Sequence, residues 1–190
     1  MQKTALITGA TAGIGQACAE RFARESWNLI LTGRRSERLD ALAAQLTEDH
    51  HIRVHTLTLD VRDRAAVHQA VGQKPEDLPP IDLLVNNAGL ALDKSPLDQG
   101  DPDDWDTMID TNIKGLLYMT RAIVPHMVAR KAGHIINIGS IAGRETYPGG
   151  NVYCATKHAV EGLSRAMRID LVAHNIKVSS ISPGLVEPEF

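Results

Sequence analysis

Six short runs rich in Val, Ile, Leu and Thr alternate along this chain with longer stretches of helical periodicity, and that alternation restricts the fold more than any other feature. Thr4 to Thr8, Asn28 to Thr32, Arg53 to Leu59, Asp82 to Asn86, His134 to Gly139 and Ile176 to Ser182 read as strands buried on both faces. Between them, Ser36 ahead of Leu39, Leu42, Ala43 and Leu46 marks a capped amphipathic helix, and Ile14, Ala17, Cys18 and Phe22 mark another. Asp101-Pro102-Asp103-Asp104 supplies a cap, a first-position proline and a dipole-compatible acidic turn, and opens a long helical stretch. Strand-helix alternation of this kind predicts a doubly wound α/β fold: a parallel sheet between two helical layers, with its ligand at the strands' carboxyl ends.

At 190 residues and 43% hydrophobic content the chain suits one compact domain spanning 1–190. Twenty basic against 23 acidic residues, with two Trp, three Tyr and two Phe, lack the basic footprint and stacking platforms of a nucleic-acid binder. Cys18 and Cys154 are too few for a disulfide framework, which fits a reducing cytoplasm. No stretch approaches the roughly 20 apolar residues a bilayer requires. The eight histidines show no metal-ligand spacing, so no metal site is expected.

Directly after the first strand comes Thr8-Gly9-Ala10-Thr11-Ala12-Gly13-Ile14-Gly15, leading into a helix. Glycines permit positive φ and close backbone approach, and a helix N-terminus offers free N–H groups to a pyrophosphate. A tight turn is the plain alternative; the placement between strand and helix favours dinucleotide binding. The second strand ends Leu31-Thr32-Gly33-Arg34-Arg35, two guanidiniums where an NAD site would hold a carboxylate for the ribose hydroxyl. Arginines pair with a 2′-phosphate through charge-assisted hydrogen bonds, so NADP(H) is expected; a solvated basic helix start is the alternative.

Tyr153 and Lys157, four apart behind Gly149-Gly150-Asn151, share a helical face if Asn151 caps a helix running towards Leu171. A phenol titrates near ~10, so proton exchange near neutrality calls for a neighbouring cation that stabilises phenolate. Asn112 interrupts the apolar stripe of Met108, Ile109, Ile113, Leu116, Ile123 and Val124, and is either functional or a tie between backbone segments. Ser140 ends the fifth strand at the expected ligand edge, where a serine is commonly just a cap.

Thr8-Gly9 to Gly15, Asp60-Val61, Asn86-Asn87-Ala88-Gly89, Asn112, Ser140, Tyr153-x-x-x-Lys157 and Pro183-Gly184 occur in the order of the short-chain dehydrogenase/reductase family, which the chain resembles over essentially its whole length. The resemblance implies a Rossmann-like fold and hydride transfer between nicotinamide C4 and an alcohol or ketone carbon. It implies Tyr153 as general acid/base, Lys157 lowering its pKa and holding the nicotinamide ribose, Ser140 on the reacting oxygen, and Asn112 supporting a water-linked proton path. Cofactor contacts are implied for Gly9, Thr11, Ala12, Gly13, Ile14, Gly15, Arg34, Arg35, Asp60, Val61, Asn87, Ala88, Gly89, Tyr153, Lys157, Pro183, Gly184 and Val186, with Asp60 and Val61 flanking adenine and Asn87 the adjoining ribose. Substrate would meet Ser140 and Tyr153.

Narrower matches at Asn87 to Leu92, Trp105 to Gly115, Asn137 to Ser140 and Pro148 to Tyr153 are similar to NADP-dependent 3-hydroxy acid dehydrogenases acting on serine and allo-threonine. Arg144, in a loop near Ser140, is a candidate for a substrate carboxylate or an ordinary exposed arginine. Pro188 stands where the family commonly places a threonine hydroxyl donor. The resemblance also implies a last strand and a substrate-covering C-terminal segment beyond Phe190, so Ile176 to Ser182 is expected at an exposed sheet edge. Apolar surface on the helices holding Leu116 to Met127 and Val160 to Leu171 suggests a homo-oligomer, a tetramer by family resemblance. Two readings compete with the hydroxy acid enzyme: a reductase of 3-oxoacyl thioesters or other carbonyls, and a catalytically silent nucleotide-sensing or partner-binding domain.

Overall fold

The computed structural model describes residues 2–73 and 78–186. At its centre lies a parallel sheet of β1 (Thr4–Thr8), β2 (Asn28–Gly33), β3 (Val54–Thr58), β4 (Leu83–Asn86), β5 (Gly133–Ile138) and β6 (Ile176–Ile181), ordered β3-β2-β1-β4-β5-β6. The expected strands agree with these to within one residue at either end. Chain order reverses between β1 and β4, which opens a crevice beyond their carboxyl ends, the site where such sheets bind ligands.

The two-residue period of the strands feeds two cores. Leu6, Ile30, Leu84 and Ile135 face one side, beneath α5 (Leu116–Arg130) and α6 (Asn151–Leu171). Ala5, Ile7, Leu29, Leu31, Leu83 and Val85 face the other, beneath α1 (Gly13–Arg24) and α2 (Ser36–His50). The short helix α3 (Arg64–Val67) continues as a π turn, His68–Gly72, and adds Val67 and Val71 to the first core. Burial on both faces holds for β1, β2 and β4 but not for β3, whose residues are half-buried or exposed; as a sheet edge it has a neighbour on one side only. β6 closes the opposite edge among the described residues, with Ile181 half exposed.

Three helix expectations need correction. Ser36 does not cap α2: Arg35 is the N-cap, without a side-chain bond, and Ser36 is the first helical residue. Asn151 likewise opens α6 rather than capping it; Gly150 is the N-cap, and the Asn151 amide donates to Ser95 O at 3.1 Å. The stretch after Asp104 is not one α-helix. Asp101 caps α4 (Pro102–Ile109) through Asp103 N at 2.9 Å as expected, but Asp110–Gly115 forms a π turn before α5 begins. Gly115 explains the local crowding, because a Cβ there would lie 2.6 Å from Val61 Cγ2. Single π turns inside helices commonly mark functional positions, and this one carries Asn112.

Candidate active site

A cleft of about 460 Å³ runs along the carboxyl ends of the strands, within the size range of small-molecule and cofactor pockets. Its floor is the turn from β1 into α1. Gly9 and Gly13 have φ of 64° and 53°, the left-handed region that disfavours side chains. Gly15 serves a different need, since a Cβ there would sit 2.3 Å from Gly9 O and 2.5 Å from Asn87 Nδ2. Asn87 ties this turn down: its Nδ2 donates to Thr8 O at 2.9 Å and Gly9 O at 3.1 Å, and Thr8 Oγ1 accepts from Asn87 N and Ala88 N at 2.9 Å each. Ala12, the N-cap of α1, offers no side chain to the first turn, so the helix presents backbone donors to the cleft.

One end of the cleft is basic. Arg34 and Arg35 are exposed, and Arg35 NH2 donates to Thr11 Oγ1 at 2.8 Å, leaning over the glycine turn. Arg62 faces the same space, its guanidinium on Asp60: Nε reaches Oδ1 at 3.1 Å and Oδ2 at 3.0 Å, NH2 reaches Oδ2 at 2.7 Å, and the Arg62 backbone N–H reaches Oδ1 at 3.0 Å. These bonds hold the Asp60 carboxyl below the ordinary carboxylate range. Thr32 Oγ1, fully buried in the wall between β2 and the cleft, has no hydrogen-bond partner among the described residues.

Tyr153, Lys157, Ser140, Pro183, Gly184 and Val186 line the other end. Lys157 is 7% exposed; its Nζ donates to Ile138 O at 3.0 Å and lies 5.8 Å from the centre of the Tyr153 ring. Burial lowers its pKa from the ordinary 10.5 to about 8. An ammonium this poorly solvated favours a neighbouring anion, and a phenolate is such an anion. Gly149, with φ of 75°, lets the loop at Lys94 pack against the start of α6, because a Cβ there would lie 2.2 Å from Lys94 O. That contact and the Asn151 bond to Ser95 O fix the helix turn bearing Tyr153.

Of the residues expected at the site, Gly9, Thr11, Ala12, Ile14, Arg34, Arg35, Asp60, Val61, Asn87, Ala88, Gly89, Ser140, Tyr153, Lys157, Pro183, Gly184 and Val186 line the cleft; Gly13, Gly15 and Asn112 do not. Gly15 acts behind the loop, as its contacts indicate. Asn112 is 2% exposed, and its amide is engaged in three bonds: Oδ1 accepts from Leu90 N, and Nδ2 donates to Leu90 O and Thr156 Oγ1, all at 2.9–3.0 Å. Its amide therefore joins the Leu90 backbone to the Thr156 hydroxyl, the contacts of a tie. Ser140 Oγ accepts from Ala142 N at 3.1 Å, capping a short 3-10 turn while facing the cleft. Arg144 is exposed and outside the cleft lining. Pro188 lies outside the described residues.

Thr32, Gly33, Leu59, Arg62, Leu90, Ala91, Thr111, Ile138 and Gly139 also line the cleft without having been singled out. Most of them end a strand or immediately follow one, as Leu59 and Gly139 do; Arg62 lies four residues beyond the end of β3, outside a strict strand-end rule. Thr111 needed the π turn, which no periodicity signals.

The family profile described as short chain dehydrogenase matches residues 3–190. Sulfoacetaldehyde reductase 2 of Chromohalobacter salexigens is 48% identical over 191 residues, covering 100% of this chain and 75% of the relative. The NADP-dependent 3-hydroxy acid dehydrogenase YdfG of Salmonella typhi is 52% identical over 181 residues, covering 95% of this chain and 71% of its own. The solved closed form of a serine dehydrogenase complexed with NADP+ superposes with a TM-score of 0.92 at 49% identity, over 98% of this chain and 74% of that one. The chain belongs to the short-chain dehydrogenase family.

Proposed function

We propose that this protein is an NADP-dependent dehydrogenase that moves a hydride between the nicotinamide and the 3-hydroxyl carbon of small 3-hydroxy acids of the serine and allo-threonine type. The observation that carries the reading is the buried Lys157 ammonium, held beside the Tyr153 ring at the end of a cleft that begins in a glycine turn. The likeness to serine and 3-hydroxy acid dehydrogenases supports the substrate class.

The residues present fit the dinucleotide. Gly9, with its left-handed backbone, lines the turn, α1 directs backbone donors at the cleft, and Thr32 Oγ1 remains an unpaired buried polar atom in its wall among the described residues. Arg34 and Arg35 would pair with a 2′-phosphate, repelling nothing where a carboxylate would repel it. Bound NADP(H) supplies the hydride acceptor or donor at nicotinamide C4. Tyr153 exchanges the proton at the substrate oxygen, and Lys157 lowers the cost of its phenolate and binds the nicotinamide ribose. The Ser140 hydroxyl donates to that same oxygen. Asn112 holds the Leu90 segment and Thr156 in place behind them.

A second reading, reduction of a small anionic aldehyde, rests on the whole-chain similarity to a sulfoacetaldehyde reductase. Both substrate types place an acidic anion one carbon away from the carbon that reacts. Nicotinamide absorbance followed with serine, sulfoacetaldehyde and an acetoacetyl thioester separates the alternatives, and Tyr153→Phe is expected to abolish turnover while NADPH still binds. A wild-type enzyme that prefers NAD(H), or a Tyr153→Phe variant with intact turnover, contradicts the proposal. The proposed setting is the cytoplasm and the proposed assembly a homotetramer, supported by exposed apolar side chains at Leu117, Ile169 and Val172 on or beside α5 and α6. Light scattering tests the assembly.

A further inference from the structure

Among the described residues the buried charged side chains are Lys157 and Glu161, one helical turn apart on α6. Hydride transfer as proposed above uses the first and leaves the second without a task. Glu161 is 8% exposed, and a carboxylate so placed needs hydrogen bonds. It has them from the end of β6 and the residue after it: Ser180 Oγ donates to Oε1 at 2.5 Å and Ser182 Oγ donates to it at 2.9 Å. These bonds, with Arg144 and Arg165 nearby, hold the carboxyl below its ordinary range in spite of burial, so it is anionic at neutral pH.

The residues between and after those serines turn the other way. Ile181 O accepts from Gly139 N at 2.7 Å, and Pro183 O accepts from Ile141 N at 3.0 Å. Ser140 is thus held on both sides by the same strand end that Glu161 grips. Gly139 and Gly143 close around the carboxylate, since a Cβ at Gly139 would lie 2.9 Å from Glu161 Oε1 and one at Gly143 would lie 3.3 Å from Glu161 Cγ. Both glycines have ordinary backbone angles, so close approach is the reason for them.

We infer that Glu161 is a positioning residue: through Ser180 and Ser182 it fixes the end of β6, and through that strand end it sets Ser140 and the Pro183-Gly184 turn against Tyr153 and Lys157. The inference rests on the dehydrogenase reading for its consequence in turnover. Its signal in the sequence is a glutamate at a core position of α6, four residues after Lys157.

The test uses the full chain with NADPH and with 2′,5′-ADP, which carries the adenosine half of the cofactor and no nicotinamide. Glu161→Ala is expected to lower kcat for serine on the order of tenfold or more, the scale of a small misplacement of reacting groups. NADPH should bind more weakly in this variant while 2′,5′-ADP binds as before, because Arg34, Arg35 and Asp60, the residues expected at the adenosine end, follow β2 and β3, across the sheet from β6. In Glu161→Gln the amide oxygen can still accept both hydroxyls, so kcat should recover to within about threefold of wild type. Ser182→Ala, a milder change, should lower kcat in the same direction and carries the test if Glu161→Ala does not fold. Wild-type kcat in Glu161→Ala or Ser182→Ala overturns the inference, and so does equal loss of NADPH and 2′,5′-ADP binding. A wild-type enzyme inert towards all three substrates overturns the proposed function instead, and the two nucleotide affinities still decide the role of Glu161.

Discussion

Asp60 and Arg62 close on each other in a fork, with both carboxylate oxygens accepting from the guanidinium and Oδ1 also accepting the Arg62 backbone N–H. The carboxylate is therefore engaged by Arg62 at the point where family resemblance places it against adenine. Its charge is masked beside Arg34 and Arg35, which keeps the cleft end attractive to a phosphate. Removing either partner should move cofactor affinity in opposite directions. Arg62→Gln unmasks the carboxylate and should weaken NADPH binding roughly three- to tenfold, a modest figure because the pair is partly solvated. Asp60→Asn should strengthen NADPH binding relative to NADH, with the difference shrinking in high salt. Titration calorimetry at two salt concentrations checks both; equal weakening of both cofactors by Asp60→Asn would place the carboxylate directly on the adenine.

Gly15→Ala separates local propensity from packing. Alanine is the better helix former by about 1 kcal/mol, so propensity alone calls the change stabilising. The added Cβ would meet Gly9 O at 2.3 Å and Asn87 Nδ2 at 2.5 Å, so the α1 terminus must lift off the glycine turn. The expected outcome is a loss of about 1–3 kcal/mol in folding stability and weakened NADPH binding. Gly162→Ala is the control on an exposed helix face, where nothing lies within 4 Å of the new Cβ, and should raise stability by up to about 1 kcal/mol. Chemical denaturation of both variants checks the pair.

Much of this molecule is legible in its sequence because strand order and ligand edge follow from repeated, local signals. The runs Thr4–Thr8 and Leu83–Asn86 are apolar except at their ends, and both are buried on two faces. β3 escaped that reading because edge position is a property of the assembled sheet, not of His55 or Thr56. Lys157 and Tyr153 announce themselves by helical spacing. Glu161 stands at the same spacing, four residues after Lys157, but its part is not legible there, since Ser180 and Ser182 are brought to it only by the fold; Arg62 shows no period, its part coming from the turn that folds it onto Asp60. The π turn at Asp110–Gly115 is of the same kind: Gly115 is needed there because Val61, from another crossover, occupies the space of its side chain.

Asn112 tests whether a tie behind the cleft matters to the chemistry in front of it. Asn112→Ala removes three hydrogen bonds and strands Leu90 N and O in a partly buried position, costing about 1–3 kcal/mol. Melting should fall by several degrees, since each kcal/mol is about 2–4 °C in a chain of this size. Turnover should fall as well, because the Leu90 segment lines the cleft and Gly89 lies between Asn112 and Lys157. Thermal melts and kcat for serine measure the two effects; lowered melting with unchanged kcat in the folded enzyme would confine Asn112 to stability.

Lys157 offers a test that needs no substrate. Its pKa is lowered from 10.5 to about 8 by burial, so between those values the unfolded chain binds more protons at this position than the folded one. Stability from this group therefore rises with pH across that window and is flat on either side of it. Below pH 8 the buried ammonium is a standing cost of about 3 kcal/mol, at 1.36 kcal/mol per pKa unit. Lys157→Met lacks the titration. The stability of the protein with Lys157 minus that with Lys157→Met, from urea denaturation at pH 7, 8, 9 and 10.5, should climb by about 3 kcal/mol over the series. Both proteins carry Tyr153→Phe in this comparison, because the phenol beside Lys157 would otherwise titrate differently in the two; the remaining titrating groups are common to both and cancel in the difference. A difference that stays level with pH would mean that the ammonium is well solvated in the folded protein, and would remove the physical basis for its action on Tyr153.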